Sequence, residues 1–194
     1  MSRLPTALPL ILLAAVSACR PAPQRPPPAA LSPVATAPVT ALPPVEPPKP
    51  GSPGGLPDDR TPISEAPFDA RSAQGAANVV QTYYALLAER RYPQARALWS
   101  DGRRASGQPD AQAFAAGFAR YASYNAQVGA PGETEGGAGS IYVSVPVVVY
   151  GRLTSGAEVH EKGEAQLRRV NDVPGSTLAQ RAWHIFRIDT TPTG

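Results

Sequence analysis

Cysteine is nearly absent: Cys19 is the only one in 194 residues. A single thiol cannot form an intrachain disulfide or the multi-cysteine ligand sets of structural zinc and iron–sulfur sites. Histidine occurs twice, as His160 and His184, without ligand spacing, so no metal centre and no cofactor is expected. No apolar run reaches the roughly 20 residues that a membrane-spanning helix requires. The glycine-rich stretch from Gly129 to Gly139 is not followed by the lysine and Ser/Thr of a phosphate loop, and no elbow motif marks a seryl nucleophile. The net charge is only +3, which leaves no electrostatic footprint for nucleic acid. Arg90-Arg91, Arg103-Arg104 and Arg168-Arg169 read as surface pairs. These absences remove most readable chemistry and leave address, reach and fold.

Proline, by contrast, is abundant, and most of the 24 lie before residue 69. The chain falls into three parts. Residues 1–18 carry Arg3 and then an apolar stretch from Leu8 to Val16, too short to span a bilayer but matching the core of a secretion signal. Residues 19–68 hold Arg25-Pro26-Pro27-Pro28, Leu42-Pro43-Pro44 and Pro47-Pro48-Lys49-Pro50. Proline fixes φ, removes a donor and biases its predecessor to extended backbone. No apolar period survives there, so a disordered, semi-rigid tether is expected, reaching at most on the order of 150 Å. The acids Glu46, Asp58, Asp59 and Glu65 balance Arg20, Arg25, Lys49 and Arg60, so the tether is not a polybasic patch. Residues 69–194 contain the globular domain.

Val16-Ser17-Ala18-Cys19 resembles the bacterial lipobox. The resemblance implies cleavage before Cys19 and acylation of its sulfur and new amino group, giving membrane attachment through lipid chains. An ordinary cleavage after Ala18 is the alternative. Arg20 stands where an aspartate would resemble an inner-membrane retention signal, so the resemblance favours the outer membrane, facing the periplasm.

Within the domain, Ser72 is a candidate cap for a helix running to about Arg90, with Ala76, Val80, Tyr83 and Leu87 at helical spacing. Pro93 suits the first turn of a short second helix bearing Ala95, Leu98 and Trp99, ended by Asp101 and Gly102. Pro109 and Asp110 announce a third, with Phe114, Phe118 and Tyr121 as its stripe. The period then changes to two. Tyr124 to Val128 predicts one strand, Ile141 to Leu153 a second, Glu158 to Val170 a third and Arg181 to Thr190 a fourth. Helices followed by an antiparallel meander make an α+β fold. Tyr142, Val148 and Tyr150 leave the second face of the long strand partly apolar, so it needs cover, and Pro146 predicts a bulge or an edge within that strand.

The run from Val79 to Leu87, the stretch from Tyr92 to Trp99 and the terminal Ala182-Trp183-His184-Ile185 resemble the nuclear-transport-factor-2-like superfamily. That resemblance implies a cone: about three N-terminal helices packed on a curved four-stranded antiparallel sheet, with Tyr83, Tyr84, Trp99, Tyr121, Tyr150 and Trp183 as candidate pocket residues or plain core. It also implies a possible homodimer through the outer face of the sheet. Enzymes of the fold use an inward Asp, Glu or His, for which His184 and Glu161 are the candidates here. The expected function is a lipid-anchored periplasmic binding or interaction module, partnered by an envelope protein or a small hydrophobic ligand. The alternatives are a small isomerase- or dehydratase-type enzyme and a structural accessory of an envelope complex.

Overall fold

The computed structural model describes residues 42–58, 67–100 and 110–193. The signal segment, Cys19, most of the tether and the Asp101-Gly102 helix stop lie outside the described residues.

Helix α1 spans Ala73–Ala88. Ser72 caps it, its side chain accepting from the Gly75 N–H, and its apolar stripe buries Ala76, Val80, Tyr83, Tyr84 and Leu87. The helix stops short of Arg90, which takes a left-handed φ of 59°. The Arg90 amide bonds the Leu87 carbonyl and the Arg91 amide reaches back to Leu86, a Schellman closure with arginine where glycine is usual. Helix α2 is Tyr92–Ala97 with Pro93 in its first turn, and α3 is Ala111–Phe118, capped by the Asp110 carboxylate on the Ala113 N–H.

The sheet is antiparallel and has five strands, one more than the sequence predicts. They are β1 Tyr121–Val128, β2 Glu135–Gly137, β3 Ser140–Leu153, β4 Glu158–Val170 and β5 His184–Pro192. The order is β1-β3-β4-β5, with β2 paired to the far end of β3. Tyr121, expected on the third helix, opens β1 opposite Leu153. Residues 114, 118 and 121 fit a helical stripe equally well, but α3 ends at Phe118. The last strand is also shorter at its start: Leu178–Arg181 form a helical turn, α4, and β5 begins only at His184.

Val143, Val145, Val147 and Val149 share one face of β3 with Ala165 and Leu167 of β4, and α1 packs there to make the core. Irregularities in β1 (Tyr121/Ser123) and in the β4–β5 pairing (Gln166/Leu167) bend the sheet around it. Pro146 occupies a local edge. Its carbonyl accepts from Gly129, so its missing N–H faces the same side, past the end of β1 and before β2.

The opposite face of β3 does not lie open. Val148 is fully buried there. Residues 42–58 run against this side: Arg152 Nη2 donates to the Pro43 carbonyl at 3.1 Å, and the Leu56 side chain abuts Gly129 beside Pro146. A turn closed by Gly51 N–H to Leu56 O folds this segment on itself. The distal part of the proline-rich stretch, expected to be tether, is thus built onto the domain.

Candidate functional site

The sequence-derived candidates separate. Glu161 pairs with Pro192 and faces the core side with Val149, half-buried, and accepts from Thr190 Oγ1 at 2.7 Å. His184 pairs with Arg168, seven positions further along β4, or roughly 23 Å at the strand rise. The two therefore form no acid–base pair. Their places at opposite ends of the β4–β5 pairing keep them apart, and the register shift in that pairing sets the face His184 takes. Ile185 and Ile188 both face the core, three residues apart, so strict alternation from Ile188 back to His184 does not hold.

Five of the six aromatic candidates pack inside. Tyr83 and Tyr84 are each 4% exposed and meet edge to face at 5.1 Å, and Trp99 sits against Tyr83 at 5.9 Å. Tyr121 is buried under the Arg120 guanidinium. Trp183 is buried and donates Nε1–H to the Ser72 carbonyl at 2.9 Å, tying the start of α1 to the sheet. Tyr150 projects from the other side of β3 and, with Asn125, borders a shallow groove of about 270 Å³ that also reaches Gln81 and Tyr84 of α1. Burial pushes the hydroxyls of Tyr83, Tyr84 and Tyr124 well above the ordinary tyrosine range, and the Glu161 carboxylate adds to this at Tyr84 and Tyr124. The interior is a packed aromatic layer.

A different place has the makings of a site. At the C-terminal end of β4 is a cleft of about 430 Å³ lined by Ser100, Arg168, Arg169, Thr177, Gln180 and His184, together with Val170 and Ala179. Three local features build it. Strand β5 begins opposite Arg168, so Arg169 and Val170 have no partner on that side. Helix α4 turns beside this open edge, held by a capping box between Thr177 and Gln180 and by His184 Nε2, which donates to the Ala179 carbonyl at 2.9 Å. The Leu98–Ser100 segment bonds the backbone of Ile185 from the other side and brings Ser100 to the wall.

The sequence assigns Arg168 and Arg169 to the surface, yet both are half-buried. Arg168 Nε donates to Ser140 Oγ at 3.0 Å, and the Arg169 guanidinium lies 5.2 Å from the Trp183 ring centroid. Arg169 Nε, Ser100 Oγ and His184 Nδ1 are buried with no hydrogen-bond partner among the described residues. Nothing in the local sequence distinguishes this arginine pair from Arg90-Arg91; only the short fifth strand and the returning loop do. No group of three or more His, Cys, Asp or Glu residues that could hold a metal occurs among the described residues. Comparison with protein-family models, with curated proteins and with solved structures returned no match.

Proposed function

We propose that this chain is a lipid-anchored, non-catalytic binding module of the bacterial cell envelope. In this reading its domain is a nuclear-transport-factor-2-like cone, moored through acylated Cys19 to the outer membrane and facing the periplasm. Helices that precede a bent antiparallel sheet closed on α1 support the cone. The observation that carries the binding role is the polar cleft at the end of β4, lined by two half-buried arginines and by no acid. The packed aromatic interior and the separation of Glu161 from His184 argue for recognition over proton transfer.

A second reading, a small enzyme using Glu161, has one observation in its favour: that carboxylate shares the core side with Tyr84 and Tyr124.

The test is capture from membranes. Acylated full-length protein should retain a partner or ligand that Cys19→Ala, released from the membrane, and Ala179→Trp, with its cleft filled, do not. Intact-mass measurement should show the acyl chains on the wild type alone. A Cys19→Ala protein that stays membrane-bound would sink the anchor. Undiminished capture by Ala179→Trp would sink the binding role of the cleft.

A further inference from the structure

Positive charge at the end of β4 exceeds what the nearby acids answer. The Asp172 carboxylate takes both Arg71 and Arg181, one on each oxygen. Elsewhere Arg91, Arg152 and Arg187 are matched by Glu89, Glu158 and Asp189. Arg168 and Arg169 have no carboxylate partner among the described residues, and no acid lines their cleft. Withdrawing a guanidinium from water without a counter-charge is unfavourable, so such a pair is costly to maintain unless a ligand answers it.

We infer that the cleft, lined by Arg168 and Arg169 from opposite faces of β4 at its open edge, binds an oxyanion, the carboxylate or phosphate group of a small ligand. This rests on the reading of the domain as a binding module and names the ligand chemistry of its cleft. Both side chains are held in place: the Ser140 bond engages Arg168 through Nε and leaves its Nη donors, and the Trp183 ring supports Arg169. Held guanidinium planes suit oxyanions, because two parallel N–H groups meet two oxygens without further ordering. The rest of the wall, Ser100, Thr177, Gln180 and His184 with Val170 and Ala179, offers no acid to compete for the arginines, so the ligand is an acidic molecule. A volume of about 430 Å³ admits one of small-metabolite size.

The chain contains two tryptophans, each next to a residue that lines the cleft: Trp183 lies against Arg169, and Trp99 precedes Ser100 in sequence. Full-length acylated protein in detergent is therefore titrated with citrate and, separately, with inorganic phosphate at constant ionic strength, with chloride as the blank. Intrinsic fluorescence is the readout. A saturable change with either probe, weakened at least tenfold in Arg168→Gln and Arg169→Gln and unaltered in Arg187→Gln, is expected. Saturation by citrate alone identifies a carboxylate ligand, and by phosphate alone a phosphate ligand. Should an arginine variant fail to fold by circular dichroism, Ala179→Trp blocks the same cleft from an exposed position and must abolish the change. No saturable response to either probe, or equal affinity in Ala179→Trp, overturns the inference. If anions do not bind but Ala179→Trp still loses capture from membranes, the ligand chemistry is wrong and the binding module stands.

Discussion

Replacing Gly163 with alanine tests how closely β4 and β5 approach. A Cβ built at Gly163 would lie 1.8 Å from the Asp189 carbonyl oxygen and 2.8 Å from both its carbon and the Thr190 Cα. Real Cβ contacts stay above 3.0 Å, and all three neighbours are backbone, so no side chain can swing aside. The strands must open by about 1.2 Å, which takes neighbouring ladder bonds from about 2.9 Å to beyond hydrogen-bond range. Losing two bonds at about 1 kcal/mol each, with about 1–2 kcal/mol of loosened packing around Ala165 and Ile188, predicts a loss of about 3–4 kcal/mol. That is a large share of the roughly 5–15 kcal/mol expected for a domain. Urea unfolding followed by circular dichroism measures it. Gly117→Ala is the matched control: it is exposed in the last turn of α3 with nothing within 4 Å of its new methyl, and should gain about 0.5–1 kcal/mol. A Gly163→Ala protein within 1 kcal/mol of the wild type would refute the close approach.

Other expectations follow from single contacts. Arg90→Gly should stabilise by about 0.5–1 kcal/mol in the same assay, since glycine removes the strain of the left-handed φ at the end of α1; a destabilised variant would show that the Arg90 side chain matters more than its backbone. Trp183→Phe should cost about 1–2 kcal/mol by loss of the bond to the Ser72 carbonyl, read as a lower urea midpoint with an unchanged slope. Burial raises the Tyr84 and Tyr124 hydroxyls above their ordinary value of 10.0, so the folded state holds their protons longer than the unfolded chain. Their contribution is complete below pH 10 and is lost as the pH rises above it. Stability should therefore fall in that alkaline range, with tyrosinate absorbance appearing together with the loss of circular dichroism; ionisation of every tyrosine while the fold persists would contradict this. Finally, Arg152→Ala removes the bonds to Pro43, Gly156 and Glu158 and should speed hydrogen exchange at the Gly51 and Gly55 amides; unchanged protection would mean that the segment is held by other contacts.

The elements with strong periods could be read from the residues. Val80, Tyr83 and Leu87 specify α1, and the odd-numbered valines of β3 specify the core side, because in each case burial repeats at the backbone's own period. Strand β2 could not, since Glu135-Gly136-Gly137 has exposed positions only and is held by backbone pairing with β3. The orientation of His184 was lost to a one-residue shift in register, which inverts every later side chain and leaves no mark in composition. The cover over Val148 was hidden for another reason. Proline-rich sequence reads as linker, but extended backbone with few unmet donors can lie flat against a sheet as readily as it can stand in water. The cleft was invisible because it is made by where elements end, not by what any one of them contains.

The built-on segment also shortens the leash. With Leu42 onward held by the domain, only the stretch between positions 19 and 42 would span the gap to a membrane under the proposed anchoring at Cys19. Chain geometry limits that stretch to about 80 Å whatever its conformation. A body secured at Cys19 would therefore patrol a shell about half as deep as its proline count suggests, close enough to meet molecules near its own bilayer and unable to touch anything much farther away.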